Sequence, residues 1–162
     1  MRIKQSILII FGIALLLLTA GTAAAATYTV DDSGGADYST INGAMGVAAN
    51  GDTILVYPGT YSEYVYVNKE LRIISESGPD NTIIQYVPGT NSVFYVTANN
   101  VEITNFTIKD TMPNYPGILL HQVQYNNISG NKLSGIGYGI NLYFASNNTV
   151  MRERKWVGLL ML

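Results

Sequence analysis

The chain has no cysteine. Disulfides and thiolate metal centres are therefore excluded, as is a lipid-modified cysteine at an export cleavage site. Histidine is nearly absent too: His121 is the sole imidazole, and copper centres draw on His, Met or Cys donors. It reads as a surface or loop histidine, Met45 as a core residue, and no metal site or cofactor is expected. Charge is scarce, at 12% of residues. Between Thr27 and Val150 ten acids face four bases. Nucleic-acid binding needs clustered Lys and Arg, so that class is excluded. Paired carboxylates are missing as well. Beyond Asn81 the only acids before the tail are Glu102 and Asp110, and the only bases are Lys109 and Lys132. Glycoside hydrolysis needs two positioned carboxyl groups. Asp110 beside Lys109 reads as a solvated corner, and no catalytic residue is assigned.

The first 26 residues differ from the rest. Arg2 and Lys4 precede an apolar run from Ile7 to Leu18, followed by a small-residue stretch from Thr19 to Ala26. This order predicts a signal peptide over 1–26, cut after Ala23-Ala24-Ala25 or Ala24-Ala25-Ala26. The alternative is an uncleaved anchor, the only membrane contact anticipated, because the run lies near the lower limit for spanning.

Residues 27–52 read as a strand, "TYTV", a Gly-rich turn, "DDSGGAD", and a helix. Ile41, Ala44, Met45 and Ala48 recur at helical spacing, with Ser39 as N-cap and Asn50-Gly51 as stop. Residues 53–150 are β throughout. Short runs at Thr53–Tyr57, Tyr64–Val67, Leu71–Ile74 and Thr82–Gln85 are divided by "PGT", "NKE" and "SGPDN", read as turns. Further runs surround Val93–Val96, Ile103, Ile108 and Ile118–Leu120.

Internal repetition decides the architecture. "GILLHQVQYNNI" sets Gly117, Ile118, Leu120, Asn126 and Ile128 over Gly139, Ile140, Leu142, Asn148 and Val150 of "GINLYFASNNTV". One coil earlier Ile103 lies over Ile128, and Ile108 over Leu133. A period in the low twenties marks a solenoid. Each coil carries three short strands bonded to the coils above and below, with Asn126 and Asn148 at corners, where Asn tolerates left-handed backbone.

"ADYSTINGAMGVAANGDTILVYPGTYSEYVYVNKELRIISES" resembles the opening of right-handed parallel β-helix proteins of the pectin-lyase-like superfamily. The later coils resemble the repeats of exported surface proteins, including the family named for the NosD copper-maturation protein. The resemblance implies an all-β, right-handed parallel β-helix solenoid with a short N-terminal capping α-helix. For function it implies little, because one such fold hosts many activities.

Aromatics supply the candidate ligand contacts. Twelve tyrosines are present, four of them (Tyr57, Tyr61, Tyr64 and Tyr66) within ten residues, and others recur along the coils. Tyr61, Tyr64, Tyr66, Tyr125 and Tyr143 are the candidate ligand-binding residues, since tyrosines stack on sugars and dominate contact surfaces. Sequons at Asn105, Asn127 and Asn147 permit glycosylation. The expected role is that of a secreted or cell-surface protein, structural, adhesive or in contact with carbohydrate, and non-catalytic as it stands. Its partners would be surface polysaccharide or other surface proteins. The alternatives are an N-terminal part of a carbohydrate-active enzyme (lyase, hydrolase or pectin methylesterase-like) and a NosD-like metal-delivery accessory. The tail, 151–162, breaks the repeat: Lys155 stands where an apolar residue is due. It reads as out-of-frame or truncated sequence, the alternative being a makeshift plug for the open core.

Overall fold

In the computed structural model, which describes residues 24–109, 114–135 and 137–152, the chain winds as a right-handed parallel β-helix. Residues 1–23, on which most of the expected signal peptide falls, Asp110 and the tail from residue 153 lie outside the described residues.

Alternation of β-branched and polar residues produces short strands, and corners end each one. β1 (Thr27–Val30) is followed by helix α1 (Ile41–Val47). Three strands make the first full coil: β2 (Thr53–Val56), β3 (Gly59–Ser62) and β4 (Val65–Val67). The second holds β5 (Arg72–Ser75), β6 (Thr82–Gln85) and β7 (Phe94–Val96). The third holds β8 (Glu102–Thr104), β9 (Thr107–Lys109) and β10 (Pro116–His121). In the fourth, β11 (Asn127–Ser134) bends through two faces before β12 (Tyr138–Tyr143), and β13 (Thr149–Arg152) follows. β13 carries the coil pattern two residues past the expected end at Val150.

Every pairing is parallel. The first face stacks β1, β2, β5, β8, the start of β11 and β13. The second stacks β3, β6, β9 and the end of β11; the third stacks β4, β7, β10 and β12. The repeat alignment is realised residue by residue: Ile118 pairs with Ile140, Leu120 with Leu142, Ile103 with Ile128 and Ile108 with Leu133.

Inward positions form columns, and the columns are the core. Ile54, Ile73, Ile103 and Ile128 stack on the first face, and Val65, Phe94, Ile118 and Ile140 on the third. All eight are buried. Each such side chain contributes about 1.5–3 kcal/mol by leaving water.

The helix closes the base of this core. Ile41, Ala44, Met45 and Ala48 are buried, as their spacing required. The cap is Thr40 rather than Ser39: the Gly43 N–H donates to its Oγ1 at 3.1 Å. The first coil then clamps both ends. Glu63 accepts from the Ile41 and Asn42 N–H groups, while Lys69 Nζ donates to the Met45 and Ala48 carbonyls. Asp52 ties the entering chain to the same base, accepting from the Ala26 N–H at 2.7 Å and the Ala49 N–H at 2.8 Å.

"PGT" is not a turn, because Gly59 and Thr60 begin β3. Asp32 approaches so closely, accepting from the Thr60 N–H, that a Cβ on Gly59 would lie 2.5 Å from its Oδ1. "DDSGGAD" is the expected turn, and its other two carboxylates are also engaged. Asp31 accepts from Ser33, and Asp37 from Thr29.

Candidate functional site

Inward placement of alternate residues forces their neighbours outward. On the third face this exposes Tyr66 between Val65 and Val67, and Tyr95 between Phe94 and Val96. It likewise exposes Leu119 and His121 from β10, and Asn141 and Tyr143 from β12. Parallel register sets Tyr66 beside Tyr95, Tyr95 beside Leu119, and His121 beside Tyr143.

The rings form a ladder along the solenoid axis. Tyr66 and Tyr95 stack with centroids 5.5 Å apart and planes 22° apart. Tyr95 and His121 follow at 5.9 Å, and His121 stacks on Tyr143 at 5.1 Å and 16°. Phe144 closes the row edge-on at 4.6 Å. Tyr95 Oη lies 3.2 Å from His121 Nδ1, and Thr97 Oγ1 donates to Tyr66 Oη at 3.3 Å. Beside the ladder runs an open groove of about 430 Å³. Tyr64, Tyr95, His121 and Tyr143 line it together with Leu119 and the amides of Asn91 and Asn141. Partial burial, then Tyr95 and Tyr66, push the Tyr64 phenol above its ordinary value.

Stacking has a chemical consequence. Rings stacked on one another spend their faces on each other, so the middle of the ladder offers edges, hydroxyls and imidazole nitrogen. Such a surface suits a hydroxyl-rich ligand held by hydrogen bonds more than one laid flat on a ring.

Of the five tyrosines proposed from sequence, Tyr64, Tyr66 and Tyr143 meet here. Tyr61 does not: it points inward in register with Ile84, is 3% exposed, and donates to the Tyr57 carbonyl at 3.0 Å. Its burial raises the phenol pKa to about 12. Tyr125 stands apart on the corner between the third and first faces. Two residues central to the groove, Tyr95 and His121, were not among the five. The same repeat that set Leu120 over Leu142 sets His121 over Tyr143, so the signal was present. His121 ends a strand rather than sitting in a loop. The sequons fall at distinct places. Asn105 and Asn147 are exposed corner residues of positive φ, whereas Asn127 begins β11 with its Oδ1 buried.

Glu102 accepts from Arg72 Nε at 2.7 Å, and Lys132 pairs with Asp80. The groove lining contains no carboxylate among the described residues.

Two solved structures share the fold. A pectin methylesterase in complex with a hexasaccharide superposes with TM-score 0.55 at 14% identity, over 70% of this chain and 45% of that one. Pectin methylesterase PemA from Erwinia chrysanthemi superposes with TM-score 0.55 at 17% identity, over 75% of this chain and 46% of that one. The chain thus spans less than half the length of either. No curated protein matches. A family model described as periplasmic copper-binding protein (NosD) matches residues 45–156.

The chain has no Cys and one His, and that His is stacked on Tyr143 and in contact with Tyr95. Met45 lies on the buried face of the helix. Among the described residues no three His, Cys, Asp or Glu side chains come together. Among the described residues these donors do not make a closed copper centre. Fold, coil register and the match over most of the chain agree: the chain belongs to the NosD family of parallel β-helix proteins.

Proposed function

We propose that this is an exported, non-catalytic β-helix protein whose third face contacts polysaccharide at the cell surface. The observation that carries the reading is the ladder of Tyr66, Tyr95, His121 and Tyr143 bordering a groove with two amides. Support for the location comes from the leader-like first 26 residues and from the family's description as periplasmic. The pectin methylesterase held with a hexasaccharide supports the ligand class, since it is a protein of this fold that holds a sugar chain.

Affinity electrophoresis of the purified protein in a polysaccharide panel tests the reading. Retardation by at least one polymer is expected, with up to about tenfold weaker binding for Tyr143→Ala, in line with the roughly 0.5–1.5 kcal/mol that an aromatic contact contributes. No retardation by any polymer would overturn it, and turnover of a polymer would overturn the non-catalytic part in favour of an enzyme fragment. The family description favours a second reading, metal delivery. That reading requires copper binding lost in His121→Ala, and calorimetric titration decides it.

A further inference from the structure

A second recess lies around the corner from the ladder. Successive coils turn this corner through one residue of left-handed backbone: Asn100 (φ 57), Tyr125 (φ 61) and Asn147 (φ 56). The residues that follow them are held in register by side-chain bonds. Asn126 accepts from the Val101 N–H, and Asn148 accepts from the Asn126 N–H. Asparagine tolerates this conformation, and a bulky side chain is strained in it. In the middle coil a tyrosine stands where both neighbours have asparagine, and it is 62% exposed. Core packing gives no reason for it.

Tyr125 walls a recess of about 270 Å³ with Glu70, Arg72, Asn100, Glu102 and Asn127. Arg72 reaches Glu102 through Nε alone, at 2.7 Å. Asn100 Nδ2 donates to Glu70 Oε2 at 3.2 Å. Planar polar groups of both signs thus converge under an aromatic wall. An anion in the recess would meet two carboxylates, and a cation would meet a guanidinium. A neutral ligand rich in hydroxyls meets neither penalty and can use the donors and acceptors of Arg72, Glu70, Glu102 and Asn100.

We infer that this recess is a second saccharide subsite, taking a neutral pyranose unit against Tyr125. It uses none of the residues of the third-face groove and stands whether or not that groove binds.

The substitution Tyr125→Asn tests it, because asparagine is the residue of the adjoining coils and relieves the strained backbone. Methyl glycosides of glucose, galactose and mannose, and galacturonate as an anionic control, are titrated against wild type, Tyr143→Ala and Tyr125→Asn. Saturation-transfer NMR and thermal melting are the readouts. The expected result is binding of a neutral glycoside by wild type and by Tyr143→Ala, weakened at least tenfold in Tyr125→Asn. That variant melts at or above the wild-type temperature. Unchanged binding in Tyr125→Asn, preference for galacturonate, or no binding of any glycoside by wild type would each overturn the subsite. Loss in Tyr143→Ala alone would place all binding in the groove and overturn it equally.

Discussion

Asn131 illustrates how a single amide joins two coils. It is 7% exposed; its Oδ1 accepts from the Phe106 N–H at 3.0 Å and its Nδ2 donates to the Ile103 carbonyl at 2.8 Å. Asn126 and Asn148 make the same kind of bond to the coil beneath. Replacing Asn131 with Ala would strand a buried donor and a buried acceptor, and urea unfolding is expected to show a loss of about 2–4 kcal/mol with unchanged m. Phe144 is the opposite case. It is 75% exposed at φ 48, so Phe144→Asn is expected to raise the melting temperature while removing the ladder's last ring. These roles were only partly legible. Asn126 and Asn148 were readable as corner residues from the repeat, but the left-handed backbone belongs to Tyr125 and Asn147 before them. Asn pairs crowd the corner between the third and first faces, and the sequence does not show which residue there turns the backbone and which caps the neighbouring coil. Tyr61 misleads for a related reason: within "PGTYSEYVYV" the inward phase is set by where β3 begins, and Gly59 disguises that start.

At the scale of elements, the helix is the least self-sufficient part. Seven residues with two internal glycines are too few to hold a helix in water. Its stability comes from burial of one stripe and from charges borrowed from the first coil. A carboxylate at the amino end and an ammonium at the carboxyl end each complement the helix dipole. Exchanging them, Glu63→Lys with Lys69→Glu, sets both charges against the dipole and should undock the helix, read as proteolysis confined to residues around 41–48. Gly46 tests the opposite direction. A Cβ there meets nothing within 4 Å, so Gly46→Ala is expected to stabilise by about 0.5–1 kcal/mol in urea unfolding. The apolar stripe of the helix and the register of the last coils were readable because both are periodic. The clamp was not, since it joins residues from different coils whose proximity exists only after winding.

For the whole molecule, coil length is uneven while the columns stay aligned. Arg72 to Glu102 spans 30 residues, Val101 to Asn126 spans 25, and Asn126 to Asn148 spans 22. The surplus lies at corners such as "SGPDN", which explains why the early coils hide a period that the late ones display. Acid sensitivity also belongs to this scale. Hydrogen bonds from Ser33 hold the Asp31 carboxyl below its usual range, those from Thr29 do so for Asp37, and the Ala49 and Ala26 amides do so for Asp52. A carboxyl whose folded pKa is depressed contributes stability above its unfolded value of about 3.9, and loses it as pH falls through the folded value. Melting temperature is therefore expected to hold steady above about pH 5 and to decline below about pH 4, with a shallower decline in Asp52→Asn.

The bond from Ala26 to Asp52 also bears on how the molecule is born. If the protein is exported as proposed and its first residues are a signal peptide, two cuts are compatible with them, of which one leaves Ala26 as the first residue and the other removes it. Ala26 donates to Asp52 and its carbonyl accepts from the Thr53 N–H at 2.8 Å, so the second cut would discard both bonds. The first would turn an amide into an ammonium facing a carboxylate, and the newborn terminus would act as a latch on the base of the solenoid. Maturation would then finish the fold instead of merely releasing it, and intact-mass measurement of the exported protein is expected to find Ala26 at its start.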